Sequence, residues 1–343
     1  MTQHDAAALR PSSDRMRASV ITAIGGPEVV QPGDVPVPDV MNSDTLVRVK
    51  AAGVNPIDGK MRSGKGNMLT DRVPCVIGGE FAGVVVQASY ELAPFQPGDE
   101  VWGVLLTPRY PGAHAEYVAC PFMSMARKPS NLSFIEAGAV PLAVLTAWAA
   151  VIDAGRVHTG QRVLIHAGAG GVGHFTVQLA HYYGAHVIAT ASERNHDLLR
   201  DLGADEAVDY SAGPFESALD EPVDVVVDLI GNAKGDRTGS RSLDARVLRD
   251  GGTYLCVPTG AFPEMHDEVA EHDRGLVASG IKLSPDGRTL ETVTQLFEQG
   301  DLRVELERVF PLAEAGAAQA MVDGGHVRGK VVLDIDAERN GGS

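Results

Sequence analysis

The stretch "HAGAGGVGHFTVQLAHYYGAHVIATASERN", residues 166–195, carries glycines at 168, 170 and 173. That is the GxGxxG spacing that brings backbone N–H groups up to a pyrophosphate. Gly168 is expected to permit the tight turn. Gly170 lets a phosphate approach the backbone without a Cβ, and Gly173 lets the following helix lie close to the turn and strand. The N–H groups of Gly171 and Val172, at the helix start, would face the phosphates, because the first turn of a helix leaves its donors unbonded. "VLIHAG" is apolar at nearly every position, as a strand covered on both faces is. "VGHFTVQLAHYYG" has helical periodicity, Gly184 is a helix stop and "AHVIAT" reads as a second strand. The motif therefore has the strand–turn–helix–strand context that it requires.

The end of the second strand distinguishes the nucleotides. A site for NAD places Asp or Glu there, about 20 residues after the glycines, to hold the ribose 2′-OH. Here the strand ends "IATASERN", with Ala191 or Ser192 at that position and Arg194 close behind. Arg194 could pair with a 2′-phosphate through two N–H donors, so NADPH is the expected cofactor. Glu193 leaves the other choice open, since a shift of one or two residues would make it a ribose ligand.

The composition fits a globular protein with such a site. A chain of 343 residues with 44% hydrophobic content suits two domains with their own cores. A formal net charge of −16 disfavours nucleic acid and anionic membrane as partners, because both are held by Lys and Arg. Cys75, Cys120 and Cys256 are odd in number and far apart. A reducing cytoplasm is expected rather than a disulfide framework. Residues 1–15 are polar and read as a disordered tail without a signal peptide's apolar core.

Around the motif, texture divides the chain. Residues 16–130 hold short β-like runs ("ASVITAI", "TLVRVKAAGV", "AGVVVQA", "EVWGVLL", "AEYVAC") broken by Gly, Pro and Asp, which predicts an antiparallel barrel or sandwich. From about 135, strands and helices alternate, as in a doubly wound parallel sheet. Its strands are expected at 162–168, 186–191, 207–210, 223–230 and 252–258. Its helices are expected at 171–183, 193–202, near 214–220 and at 238–249. "RVELERVFPL" and "GKVVLDI" return to the first domain after a helix at 289–300. The predicted architecture is α/β: a β-rich substrate domain (16–138 and 286–337) and a Rossmann domain (139–285).

The sequence resembles the zinc-independent medium-chain dehydrogenase/reductases of quinone oxidoreductase and enone (alkenal) reductase type. The resemblance runs from about 16 to 336 and rests on "AAGVNPIDGKMRSG" (51–64), "GGEFAGVVV" (78–86), "QPGDEVWG" (96–103), "GAHAEYV" (112–118), "AGAVPLAVLTAW" (137–148), "GAGGVG" (168–173), "LGADEAVDY" (202–210) and "RGKVVL" (328–333). It implies a GroES-like barrel beside the Rossmann domain, and NADPH-dependent reduction of a quinone or of the C=C bond of an α,β-unsaturated carbonyl compound. It places Asn55 and Thr146 near the nicotinamide, and Ser192, Arg194 and Tyr210 near the adenosine phosphate. Backbone at Ile230, Gly231 and Val257 would flank the nicotinamide ribose, and Lys330 would lie close to the cofactor. Lys60 stands where some enone reductases of the family carry a Lys or Tyr facing the nicotinamide. A solvated loop lysine is the equal alternative. Glu80 replaces the Asp usual in "GxDxAG", which reads as structural.

Other chemistries fare less well. Zinc needs Cys and His ligands, and the zinc-bearing relatives have them where this chain has "GVNPID" and "GGEF", so no metal is expected. There is no GxSxG elbow, and Cys75 reads as a small core residue. His166, His174 and His181 look like packing or surface residues. Asp58 is either a general acid or, more simply, a cap on local amides. Tyr110 could line a substrate pocket or cover a surface. Reduction of an enoyl thioester or a biosynthetic intermediate is the close alternative. A non-catalytic NADPH-binding regulatory or structural protein is the alternative of a different class. A homodimer is expected, with "IKLSP" (281–285) as an edge strand across a two-fold axis.

Overall fold

The computed structural model describes residues 11, 13–65, 72–105, 111–232, 235 and 237–337. Tyr110 lies outside them. The chain divides into two compact units, Met1–Leu142 with Pro285–Ser343, and Ala143–Ser284.

The first unit opens with an antiparallel pair, β1 (Arg15–Ile21) and β2 (Val30–Pro36). β3 (Asp44–Val54), β4 (Glu80–Gln87), β5 (Glu100–Val104), β6 (Tyr117–Pro121) and β7 (Met125–Arg127) follow. β3 is the hub. Its residues are buried at nearly every position, because it pairs with β4 and β6 and, later, with a strand from the C-terminal return. The strand runs straight into "NPID". Asn55 has extended backbone and Pro56 takes the first helical position, where its missing N–H costs nothing. The helix Pro56–Arg62 therefore starts at the end of the central strand.

The second unit contains β8 (Arg162–Ile165), β9 (His186–Ala191), β10 (Glu206–Asp209), β11 (Val223–Asp228), β12 (Leu248–Cys256) and β13 (Val277–Gly280). All are parallel, in the order β10-β9-β8-β11-β12-β13. Numbered within the unit this is 3-2-1-4-5-6, the dinucleotide-binding order. Helices Gly173–Tyr182, His196–Asp201, Thr238–Ser242 and Met265–Glu271 connect or follow the strands. The expected helix 238–249 is cut short. It stops at Ser242, and Leu248 already opens β12, paired with Val223. The expected edge strand at 281–285 is displaced. The edge is β13, and only Ile281 continues its ladder, by donating to Cys256 O at 2.9 Å. β12 ends there, so among the described residues of this chain the ladder goes no further.

The chain then returns to the first unit through the helix Gly287–Gln299, β14 (Leu306–Pro311), the helix Ala315–Asp323 and β15 (Lys330–Asp334). The larger sheet runs β14-β15-β3-β4-β5-β7, with β6 also on β3. Among the described residues no helix is long and apolar enough to cross a membrane.

Candidate active site

In the second unit the strand ends collect the residues expected at a dinucleotide. The glycine turn follows β8 and lies along β9, with Gly168 N–H donating to Thr190 O at 2.9 Å. Its left-handed residue is Ala167, at φ 54°, and not Gly168. This corrects the role expected for Gly168. A Cβ there would stand 2.9 Å from Ala189 Cβ and 3.0 Å from Leu199 Cδ2, so its glycine serves packing against β9 and the next helix. A Cβ on Gly173 would sit 2.2 Å from Ala167 O, and the helix start can close on the turn only without one. A Cβ on Gly170 would meet only Ala167 O, at 3.3 Å, so that side of the turn is open. His166 is buried beside the turn, between Thr190 Oγ1 (3.3 Å) and Ser242 Oγ (2.9 Å).

β9 ends at Ala191, which pairs with Asp209 at the end of β10. The next residues of the two strands, Ser192 and Tyr210, therefore leave the sheet side by side. Ser192 occupies the position before the short turn Glu193–Asn195, without a side-chain hydrogen bond to its backbone N–H groups. Glu193 and Arg194 are exposed on it, and the Tyr210 ring is 51% exposed. No acid stands at the strand end itself.

Further along the same edge, Asp228 closes β11. Its Oδ1 accepts from Ile230 N–H at 2.7 Å and Gly231 N–H at 2.9 Å, and its Oδ2 accepts from the Tyr254 hydroxyl. Burial first, then Asp228, pushes the Tyr254 phenol far above its usual pKa. With those two N–H groups engaged, backbone carbonyls are what this strand end can offer to a ligand. Val257 N–H is held by Asp228 O at 2.9 Å. Thr146 is buried in the helix Pro141–Trp148. Asp228 and Tyr254 were not foreseen as site residues. The acid that follows the buried run "VVV" was the available signal.

In the first unit, register gathers a second set of residues. Val331 of β15 faces Val54 of β3, and Phe81 of β4 faces Ala52. Lys330, Asn55 and Glu80 therefore meet at one end of the sheet. Glu80 Oε1 accepts from Asn55 Nδ2 at 2.7 Å and from Lys330 Nζ at 2.9 Å, and its Oε2 accepts from Leu142 N–H at 2.7 Å. Lys330 Nζ also donates to Asn55 Oδ1 and, at 3.4 Å, to Val54 O. Glu80 is 0% and Lys330 3% exposed. The longer Glu fits because residue 53 is glycine, where a Cβ would stand 2.1 Å from Glu80 Oε1. Lys60 is half-buried in the last turn of the helix Pro56–Arg62 and not in a loop.

Asp58, in the same helix, accepts from Asn55 N–H at 2.8 Å, which gives it a capping role. It is fully buried, and burial raises its pKa above the ordinary 3.8 against the opposing pull of His114, the Asn55 N–H and Lys330. The folded chain thus keeps a proton on Asp58 to higher pH than the unfolded chain does, and stability falls as pH rises from 3.8 through the folded pKa. Asp58→Asn keeps an acceptor for the cap and removes this loss. It is expected to be the more stable protein at neutral pH, by about 2–4 °C in Tm for each kcal/mol recovered, with the difference vanishing below pH 4. Thermal melts between pH 3 and 8 read it, and a constant difference across that range would refute it.

Comparison with known proteins identifies the architecture. Residues 41–130 match the family model described as "Alcohol dehydrogenase GroES-like domain", and residues 202–333 match "Zinc-binding dehydrogenase". The Danio rerio protein "NAD(P)H oxidoreductase RTN4IP1, mitochondrial" is 34% identical over 85% of this chain and 84% of its own length. The chain belongs to the medium-chain dehydrogenase/reductase superfamily. It is an NAD(P)H-dependent oxidoreductase with a GroES-like domain and a Rossmann sheet. The "NADPH-dependent alkenal/one oxidoreductase, chloroplastic" of Arabidopsis thaliana is 33% identical over 93% of this chain and 79% of its own. The quinone oxidoreductase of Coxiella burnetii superimposes with a TM-score of 0.87 at 36% identity, over 94% of this chain and 99% of that one. Although one of the two superfamily models carries zinc in its name, no group of three or more His, Cys, Asp or Glu among the described residues could hold a metal ion.

Proposed function

We propose that this chain transfers a hydride from NADPH to a quinone or to the C=C bond of an α,β-unsaturated carbonyl compound, without a metal. The observation that carries the choice of NADPH is the register of β9 and β10, which sets Ser192 beside Tyr210 and puts the exposed Arg194 two residues beyond Ser192, with no acid ending the strand. The open side of the turn at Gly170 suits a pyrophosphate, with Gly168, Gly171, Val172 and Gly173 completing the cradle. Ser192, Arg194 and Tyr210 would hold the 2′-phosphate and adenosine. Thr146, Ile230, Gly231 and Val257 would hold the nicotinamide riboside.

NADPH, when bound, supplies the hydride; the chain supplies orientation and charge. Asn55 is the donor proposed for the reacting carbonyl oxygen, with Lys60 as the nearby cation and Asp58 holding the start of their helix. Lys330 spends its donors on Val54, Asn55 and Glu80, so we read it as acting through Asn55. The relatives named for alkenal/one and quinone oxidoreduction support the substrate class. NADPH oxidation across a panel of quinones, alkenals, cyclic enones and a crotonyl thioester tests the proposal. NADPH binding with no turnover on any of them would make the chain a binding protein instead. Cytoplasmic residence and a homodimer belong to the same reading, and sedimentation as a monomer at micromolar concentration would remove the dimer.

Arg194→Glu is the direct test of cofactor choice. A charge-assisted hydrogen bond is worth roughly 1.5–3 kcal/mol, or about 10- to 100-fold in affinity. The ratio of NADH to NADPH dissociation constants should fall by that factor, chiefly through weaker NADPH binding. Equal affinity for both cofactors in the unmodified protein would defeat the assignment.

A further inference from the structure

The ion pair between Glu80 and Lys330 lies in the interior, where taking two charges out of water is costly. Apolar residues of similar volume often stabilise a fold as well or better, so stability alone is a poor reason for it. Its geometry suggests another. Lys330 donates to Asn55 Oδ1, and Asn55 Nδ2 donates to Glu80 Oε1 at 2.7 Å. An ammonium only donates and a carboxylate only accepts. Flipping the Asn55 amide would set its NH2 against the ammonium and its oxygen against the carboxylate. The amide therefore has one permitted orientation. One Nδ2 hydrogen is spent on Glu80, and among the described residues the other has no acceptor.

We propose that Glu80 and Lys330 are positioning residues, which lock the Asn55 amide so that its second hydrogen is a directed donor for the substrate carbonyl oxygen. The assignment rests on the hydride-transfer reading above. As NADPH is oxidised to NADP+, the enone β-carbon gains hydride with its electron pair. The C=C π pair shifts toward the carbonyl, its oxygen takes up negative charge, and water supplies the proton to the α-carbon. A donor already aimed at that oxygen needs no reorganisation as the charge grows, and loss of one such donor costs about 10²–10³ in kcat. A donor that is still present but free to turn should cost less.

The test is the double variant Glu80→Gln/Lys330→Met. It removes both charges together and leaves no unpaired ion. A glutamine can flip with Asn55, and methionine donates nothing, so either amide orientation becomes acceptable. The expected result is a 10- to 100-fold fall in kcat for enones, with the dissociation constant for NADPH within about threefold of the unmodified protein. Independently of turnover, the Asn55 side-chain amide signal, identified by its loss in Asn55→Ala, should exchange slowly with solvent in the unmodified protein and quickly in the double variant. Should the double variant not fold, Glu80→Asp keeps the charge but withdraws the acceptor by one methylene. It should show the same pattern of lower kcat and unchanged NADPH affinity, to a smaller degree. Undiminished kcat in a folded variant, or fast exchange of the Asn55 amide in the unmodified protein, overturns the positioning role alone. No turnover by the unmodified protein with any acceptor overturns the hydride-transfer reading, and this assignment with it.

Discussion

Gly173→Ala is expected to weaken NADPH binding at least tenfold and to lower the Tm by about 2–12 °C. The added methyl would stand 2.2 Å from Ala167 O and 2.9 Å from two backbone atoms of Gly168. None of these is the far end of a flexible side chain, so the turn itself must move. Overpacking of this kind costs about 1–3 kcal/mol, at about 2–4 °C per kcal/mol for a domain of this size. The same movement would displace the N–H groups proposed to face the phosphates. Breaking one charge-assisted hydrogen bond to a phosphate lowers affinity by about one to two decades. Gly170→Ala is the informative partner. Its methyl meets only Ala167 O, at 3.3 Å, so stability should change by no more than about 0.5 kcal/mol, while NADPH affinity falls because the methyl occupies the open side of the turn. Fluorescence titration with NADPH and thermal melts of both variants separate the roles. A Gly173→Ala protein with unchanged melting and binding would mean that the turn does not have this geometry.

The second unit was legible where apolar runs are long and turn chemistry is strong. "RVLI", "HVIATA" and "VDVVVD" are buried on both faces, although the strands expected at 162–168 and 223–230 end earlier, at Ile165 and Asp228. β13 was missed because "VASG" has neither alternation nor an apolar run and pairs with one neighbour only. The helix expected over 238–249 overran because Val247 and Leu248 continue its apolar rhythm, yet Leu248 pairs with Val223. In the glycine turn the offsets were visible, but the division of labour was not. A positive φ at Ala167 is a product of the whole turn and leaves no mark in residue type.

The Asn55, Glu80 and Lys330 cluster shows the other limit. Each residue drew attention alone, Glu80 as a departure from the usual Asp and Lys330 as a cofactor neighbour. That they form one network depends on the register of β15 on β3 and of β4 on β3. Residues 250 positions apart in sequence meet there, and no local pattern encodes such a pairing. The glycine at 53 is the nearest thing to a signal, because a longer acid at position 80 needs a neighbour without a Cβ.

Lys330→Met alone should destabilise the protein by about 3–5 kcal/mol, because it leaves the Glu80 carboxylate buried without its cation. Glu80 is 0% exposed and cannot turn to water, and its remaining partners, Asn55 Nδ2 and Leu142 N–H, are neutral donors. At about 2–4 °C per kcal/mol, the Tm should fall by roughly 6–20 °C. Glu80→Gln added to it removes the stranded charge, so the double variant should recover at least about 1 kcal/mol of the loss. Two residues sharing one network are coupled by this order of magnitude. The recovery distinguishes a buried pair from two residues that matter separately. Urea unfolding of the two single variants and the double variant closes the cycle. If the losses of the single variants simply add in the double, the carboxylate and the ammonium do not depend on one another, and the locked orientation of Asn55 has no basis.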